Sequence, residues 1–380
     1  MNKILYIATN DLFVRFGGGL AVLAYYEAVK YVYGSENIDL ILPQESIGNT
    51  VTKGNYFGVP RRKKIIAILS SIFGNLHRFR KYIFLHLKKY PGRYKLCIIN
   101  GGTYAGDMVD GIKSFDIKVV VIHHNYEREY AVDNKTLSSF RGFFPYYVIR
   151  NEKNAYYQAD LNLFLTKSDM ALFERQYGKC NGERAVIGTF EPFQRALPLI
   201  EKVSGPYTMV ITGSLGSRQT ECGIKDFYKH YYVLLCKELP NVKILFAGRN
   251  PNKTIMGIAQ KETGTITIIR NPENMEDVIK YGIIYYCPTN VGGGLKLRIM
   301  DGLRQGLPVL AHKVSARGYD YFFNKSYFQI YDDEETFTKG IKCLMDLYKN
   351  NMIDNKQIQN DYMDYFSFDA GCQRMSTIIR

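Results

Sequence analysis

Ten short apolar runs recur along the chain, separated by segments long enough to hold a helix. They are Ile4–Ala8, Ile38–Leu42, Leu96–Asn100, Lys118–Ile122 and Leu161–Leu165, then Thr208–Thr212, Val242–Ala247, Thr265–Ile269, Ile283–Cys287 and Pro308–Ala311. Most are apolar almost without a break. A strand with one wet face would alternate, so the runs predict strands covered on both faces, as in parallel sheets. Leu20–Tyr33 predicts a helix stopped by Gly34, which gives the βαβ rhythm from the start. For 380 residues the economical arrangement is α/β, with two open parallel sheets in series joined near residues 192–206. No internal repeat is visible.

Composition removes several classes. Apolar residues are 46% and charged residues 23% of the chain, as in a folded globular protein rather than a disordered one. The seven cysteines are odd in number and never spaced CxxC, which speaks against a disulfide framework or a zinc knuckle and for thiols in a reducing compartment. The longest uncharged apolar stretch, Ile65–Asn75, falls short of the roughly 18 to 20 residues that span a bilayer. Behind Lys3 the apolar segment ends by Thr9, too soon for a secretory signal, so the expected location is the cytoplasm. A net charge of +14 favours an anionic partner: nucleic acid, an anionic membrane or phosphate-bearing small molecules.

In open α/β sheets ligands bind beyond the carboxyl ends of the strands, and four loops there are unusual. Gly17, Gly18 and Gly19 open the first helix, where bare N–H groups contact an anion or substrate, or simply form a flexible turn. His123, His124, Asn125, Glu127 and Glu129 follow an apolar strand; they suit sugar hydroxyls or proton exchange, or else a histidine merely caps the strand end. Gly213 and Ser214, with Arg218 and a helix expected near Gly223, pair with Gly248 and Arg249 as a positively framed phosphate site, or the arginines are only solvated. The richest segment runs from Gly292, Gly293 and Gly294 through Leu295, Lys296 and Arg298 to Asp301. Three glycines before a helix expose N–H donors and Lys296 adds a point charge. Asp301, expected one to two turns into the helix, accepts bonds from a ribose diol or pairs with Arg304 or Gln305.

These motifs together resemble the GT-B glycosyltransferases of the family-4 type. Gly292, Gly294, Lys296, Arg298, Asp301, Gly306, Pro308 and Val309 match that family's GxGxKxKxxExxxxGxPV signature. His124, Asn125 and Glu127 resemble its HNxE motif, and Ala159–Asp169 its ADxxxxxSxxD stretch. Three departures stand out: Asp301 replaces the usual ribose-binding Glu, Gly293 replaces an earlier Glu, and Cys222 replaces a Lys before Gly223, with Lys296 and Arg218 as candidate replacements for the lost contacts. The resemblance implies two Rossmann-like domains with parallel sheets facing a central cleft: residues 1–195 for the acceptor, 196–365 for the nucleotide-sugar, and 366–380 crossing back to the first domain. It further implies a retaining hexosyltransferase.

In that reading the N–H groups of Gly292–Leu295, with Lys296, Arg218 and Arg298, stabilise the leaving diphosphate, so no metal and no cofactor is needed. Gly213, Ser214, Gly248 and Arg249 complete the donor site, and Asp301 holds the ribose. His124 faces the acceptor or the transferred sugar and Glu127 orients it, while Gly17–Gly19, His123 and Asn125 line the acceptor side.

From Arg61 to Lys95 there are eleven Lys or Arg and no acidic residue, interleaved with apolar residues near helical spacing. This basic amphipathic profile suits an anionic membrane surface; the alternative is a solvated face over a core helix, and nucleic acid fits less well because no nucleic-acid module accompanies it. The expectation is a cytoplasmic enzyme, peripheral on the inner face of the membrane, moving sugar from a UDP- or GDP-type nucleotide-sugar to a glycan or lipid-linked acceptor in surface polysaccharide assembly. The alternatives are a catalytically silent GT-B subunit that binds glycans or a partner, and a nucleotide-sugar epimerase of the same fold.

Overall fold

A computed structural model describes residues 3–9, 12, 18–49, 55–61, 78–129, 143–198 and 207–380. The chain divides into two units, Met1–Arg195 with Ser367–Arg380, and Ala196–Phe366.

The first unit contains β1 (Lys3–Ala8), α1 (Gly18–Tyr33), β2 (Ile38–Pro43), β3 (Asn55–Val59), α2 (Arg78–Lys89), β4 (Tyr94–Asn100), α3 (Val109–Lys113), β5 (Lys118–His123), α4 (Phe143–Gln158), β6 (Leu161–Phe164), α5 (Lys167–Tyr177) and β7 (Glu183–Val186). Its seven strands run in the order β3-β2-β1-β4-β5-β6-β7, all parallel. The second unit contains β8 (Tyr207–Ser214), α6 (Arg218–Asp226), α7 (Tyr232–Glu238), β9 (Ile244–Arg249), α8 (Lys253–Lys261), β10 (Ile266–Arg270), α9 (Glu276–Ile279), β11 (Gly282–Cys287), α10 (Arg298–Arg304), β12 (Val309–His312), β13 (Phe328–Tyr331), α11 (Glu334–Lys349) and α12 (Asn355–Phe366). Its six strands, ordered β10-β9-β8-β11-β12-β13, are also all parallel. The expected pair of parallel sheets is the observed architecture.

Alternate residues of each central strand go to different cores. Ile4, Tyr6, Ile98, Val120 and Ile122 pack on one side of the first sheet. Leu5, Ile7, Cys97, Ile99, Val119 and Val121 pack on the other. The second sheet divides the same way, with Met209, Ile211, Phe246 and Tyr286 on one face and Val210, Leu245, Tyr285 and Val309 on the other. This two-sided burial is why the runs read as continuously apolar. At the strand starts, the buried Asp39 carboxylate accepts hydrogen bonds from Lys3, Asn55, Arg93 and Tyr94, tying β1, β2, β3 and β4 together at the end opposite the loops of interest.

A last helix, α13 (Phe368–Ile379), is capped by Ser367, which accepts from the Ala370 N–H, and returns the chain to the first unit. Cys372 and Met375 enter the core beneath α1, and Tyr33 Oη donates to the Ile379 carbonyl at 2.9 Å. The Ala159–Asp169 motif proves to be a local brace. Asp160 accepts from the Val119 N–H (2.7 Å) and from Lys113, joining β6 to β5. Thr166 caps α5 by accepting from the Asp169 N–H, while its hydroxyl donates to the Asp169 carboxylate at 2.7 Å.

The basic segment is described only at Arg61 and from Arg78 onward; Arg62, Lys63, Lys64 and the rest of 62–77 lie outside the described residues. In α2 the apolar positions Phe79, Ile83 and Leu87 are buried in the core. That corrects the amphipathic reading for this helix: its apolar stripe belongs to the fold, and only Leu85, 58% exposed, joins Lys81, Lys88 and Lys89 on the outer face. Arg61 pairs with Glu45, Arg93 with Asp39 and Lys95 with Asp116. No helix among the described residues is long and apolar enough to cross a membrane.

Candidate functional site

Two glycines end the neighbouring strands β8 and β9 in register, Gly213 beside Gly248. A Cβ on Gly248 would lie 1.7 Å from the Gly213 carbonyl oxygen, so the two strand ends approach at a distance only glycine allows. Ser214, Arg218 and Arg249 then emerge exposed. The helix expected near Gly223 begins five residues earlier, at Arg218, with Ser217 as its cap. Gly223 lies inside it, packed on the Pro288 carbonyl and the Thr289 backbone.

The glycine loop after β11 is held from within. Lys296 is only 6% exposed, and its Nζ donates to the carbonyls of Gly292 (2.9 Å) and Gly293 (2.8 Å). In a trans peptide the C=O and the following N–H point in opposite directions. Gathering these two carbonyls on the ammonium therefore turns the N–H groups of Gly293 and Gly294 away from it. Neither they nor the Leu295 N–H donate to a carbonyl among the described residues. Positive φ at Gly292 (+87°) and Gly294 (+70°) makes this path accessible to glycine. Ser315 Oγ donates to the Thr289 carbonyl (2.6 Å) and Tyr319 Oη to the Lys296 carbonyl (2.8 Å), so the segment after β12 clamps both ends of the loop.

The helix that follows starts at Arg298, later than expected, and Asp301 sits in its first turn rather than beyond it. Arg298 acts as a brace: its Nη1 donates to Thr220 Oγ1 (3.0 Å) and to the Thr212 carbonyl (3.3 Å), fastening α10 to α6 and β8. Asp301 forms the pair with Arg304 (2.9 Å), and Arg304 also reaches Glu276 (3.3 Å). Thus Lys296, Arg298 and Asp301 all make contacts within their own chain.

In the first unit, Gly17 lies outside the described residues, and Gly18 and Gly19 open α1. His123 is the last residue of β5 and 1% exposed; its Nε2 lies 2.8 Å from Asn162 Oδ1, and its ring stacks on Phe164 and meets Phe173 edge-on. Burial pushes its pKa down to about 4. His123 is therefore a core histidine of the strand end, which corrects its expected place on the acceptor side. His124, partly exposed in the next position, bonds through Nε2 to Asn100 Oδ1, and its ring sits edge-on to Tyr25 at 5.6 Å. Asn125 and Glu127 follow it, both partly exposed.

Residues that sequence reasoning passed over support this loop. Asn100 closes β4, is 1% exposed, and donates from Nδ2 to Tyr6 Oη (2.5 Å) and to the Val22 carbonyl (2.9 Å). A polar residue ending an apolar run was the available signal, the same one that marked His123. Glu152, buried in mid-helix, gave no signal. Its carboxylate accepts from the Glu127 N–H (2.6 Å) and from Tyr177 Oη (2.7 Å), anchoring the turn that carries Glu127. All seven cysteines are free thiols, and among the described residues no three His, Cys, Asp or Glu side chains come together as a metal site.

No protein-family model matches the chain, and no curated protein matches its sequence. Solved structures do match. Sucrose-phosphate synthase from Thermosynechococcus elongatus is similar at a TM-score of 0.68 and 13% identity, over 99% of this chain and 98% of that one. Anabaena HepE in complex with UDP gives 0.68 and 11%, over 99% and 98%. The lipopolysaccharide outer core galactosyltransferase WaaB, in its apo form, gives 0.68 and 9%, over 100% and 99%. Over its whole length the chain thus has the α/β fold of GT-B glycosyltransferases, and at these identities the likeness concerns the fold.

Proposed function

We propose that the protein is a glycosyltransferase that moves a sugar from a nucleotide-sugar to a glycan or lipid-linked acceptor. The observation that carries this is the Gly292–Leu295 loop, whose buried carbonyls converge on Lys296 while its N–H groups are left to meet an anion. Solved HepE complexes hold UDP, with and without glucose, which favours a uridine over a guanosine donor.

The N–H groups of Gly293, Gly294 and Leu295 stabilise charge developing on the leaving diphosphate, preorganised because the loop is clamped at both ends. Lys296 adds positive charge beneath them, and the exposed Arg218 and Arg249 add more at the rim. Asp301, oriented by Arg304, accepts from the ribose hydroxyls; a carboxylate has lone pairs for both tasks. In this reading the loop and the cations carry the charge without a metal ion, and the configuration of the transferred sugar is retained. His124, Asn125 and Glu127, with Gly18 and Gly19, serve the transferred sugar and the acceptor. Lys81, Lys88 and Lys89 dock the enzyme on the anionic inner face of the cell membrane, in surface polysaccharide assembly.

A second reading, a catalytically silent glycan-binding or scaffold subunit, is favoured by the engagement of Lys296 and Asp301 with their own chain. A thermal-shift series with UDP, GDP and their sugars separates the two. A ligand at a hundredfold its Kd stabilises by about 2.7 kcal/mol. A uridine nucleotide is expected to raise the unfolding temperature, and turnover on a soluble acceptor is expected to survive EDTA. No shift with any nucleotide or nucleotide-sugar would leave only the scaffold.

A further inference from the structure

Asn100 lies where three elements of the first unit meet: it ends β4, touches Tyr6 in β1 and Val22 in α1, and faces His124 beyond β5. The Val22 carbonyl can only accept, so the Asn100 amide nitrogen must face it, and the amide oxygen is thereby turned to the imidazole. An oxygen there accepts, so the proton on His124 sits on Nε2. We infer that Asn100 is a positioning residue that holds His124 as its Nε2–H tautomer, leaving Nδ1 as a hydrogen-bond acceptor for a sugar hydroxyl. The part concerning the hydroxyl rests on the transferase reading; the part concerning the tautomer does not.

The surroundings agree. The bond to Asn100 engages Nε2, so Nδ1 is the ring nitrogen it leaves available. Tyr25 of α1 presents its ring edge to the imidazole and is itself fixed, its Oη donating to the Gly188 carbonyl at 2.5 Å and its ring meeting Phe190. Burial pushes the His124 pKa down to about 4, and the one titratable neighbour acting on it among the described residues, His123, lowers it further. The ring is therefore neutral at physiological pH. Its single proton is committed to Asn100, so it offers a lone pair rather than a donor.

Two measurements test this. In ¹⁵N-labelled protein the imidazole of His124, assigned by its loss in His124→Gln, is expected to show the Nε2–H tautomer at pH 7 and to stay neutral down to about pH 5. In Asn100→Asp, a carboxylate beside Nε2 is expected to raise the titration midpoint by about one to three pH units. An Nδ1–H tautomer or a charged ring at pH 7 in the unaltered protein would overturn the inference without any substrate and whether or not the variant folds. For the hydroxyl, His124→Asn places an oxygen where Nδ1 stood and is expected to keep about tenfold more kcat/KM than His124→Ala. Equal loss in the two variants would overturn that role. A protein with the expected tautomer that transfers no sugar would sink the transferase reading and leave the tautomer standing.

Discussion

The loop after β5 and the loop after β11 both follow the carboxyl ends of interior strands and are built on opposite principles. After β5 the chemistry lies in side chains: His123 and His124 are each locked by an asparagine, and Glu127 hangs from a backbone bond to Glu152. After β11 it lies in the backbone, with glycine carbonyls drawn onto Lys296 and glycine N–H groups turned outward. A backbone site has little choice of residue, because any Cβ alters the path. A side-chain site tolerates change around it but depends on the protonation state of its members. The two loops should therefore fail for different reasons.

The sharpest break is steric. Gly248→Ala drives a Cβ to within 1.7 Å of the Gly213 carbonyl oxygen, a backbone atom of a central strand that cannot step aside. A loss of at least about 3 kcal/mol is expected from urea unfolding of the second unit. In the first unit, Gly102→Ala brings a Cβ to 2.5 Å from His123 Nδ1, the edge of a side chain. Ring rotation relieves that contact at the cost of the bond to Asn162, about 1 to 3 kcal/mol. Equal losses in the two variants would erase the distinction between backbone and side-chain packing.

The second break is electrostatic and belongs to the first unit alone. Burial pushes the Glu152 carboxyl up to about 8, against the pull of its bonds from Tyr177 and the Glu127 N–H. A raised acid pKa means that the folded state holds the proton longer. Its stabilisation is complete below the unfolded value near 4.3 and is lost as pH rises toward 8, by about 1.4 kcal/mol per pH unit. His123 and His124, depressed to about 4, act the other way and add stability as pH rises from there to about 6.5. The cleaner window is pH 7 to 8, where the histidines are largely neutral in both states. Across it the first unit is expected to lose about 1 kcal/mol, and Glu152→Gln is expected to flatten the loss. An unchanged slope in that variant would mean that Glu152 is already ionised at neutral pH.

Which parts of this were legible beforehand follows from burial. The ten runs mark ten strands, and the three that escaped, β3, β7 and β13, are all sheet edges. An edge strand has less cover, and Asn55–Val59 and Glu183–Val186 accordingly carry polar residues at exposed or half-exposed positions. Without a continuous apolar run there is no signal to follow. The glycine loop was visible because its residues are rare in such a cluster. The pair of Asp301 with Arg304 was legible too, from its i, i+3 spacing, but the bonds of Arg298 were not, since they depend on Thr212 and Thr220 being brought alongside by the fold. His123 and His124 are neighbours of identical chemistry, and only the alternation of the strand end sends one inward and the other out.

Asp301 offers a test of the second loop at smaller cost to the fold. Asp301→Ala removes one partner of Arg304, which keeps Glu276, so the unit is expected to remain folded. Affinity for a uridine nucleotide is expected to fall by about 1.5 to 3 kcal/mol, the scale of hydrogen bonds to a charged group, as read by calorimetry. Unchanged affinity would remove Asp301 from the donor site and leave it a helix surface pair.

The smallest effect concerns the surface of the first unit. Helix α2 spends its apolar positions on the core, so contact with a membrane would depend on Lys81, Lys88 and Lys89, with Leu85 the one large apolar residue of the helix facing outward. Each lysine near an anionic bilayer contributes about 1 kcal/mol. Lys88→Glu is therefore expected to weaken binding to phosphatidylserine vesicles by at least that amount. In 1 M salt, where charge reaches only about 3 Å, the difference between the variant and the parent protein should nearly vanish. The control is Lys339→Glu on α11, an exposed lysine of the second unit, which carries the same change in net charge and is expected to leave vesicle binding unaltered. Turnover on a short soluble acceptor should be the same for all three proteins. Equal weakening by the two reversals would show that overall charge, not the α2 face, draws the protein to the bilayer. No weakening by Lys88→Glu would leave that face a solvated cover over Phe79, Ile83 and Leu87.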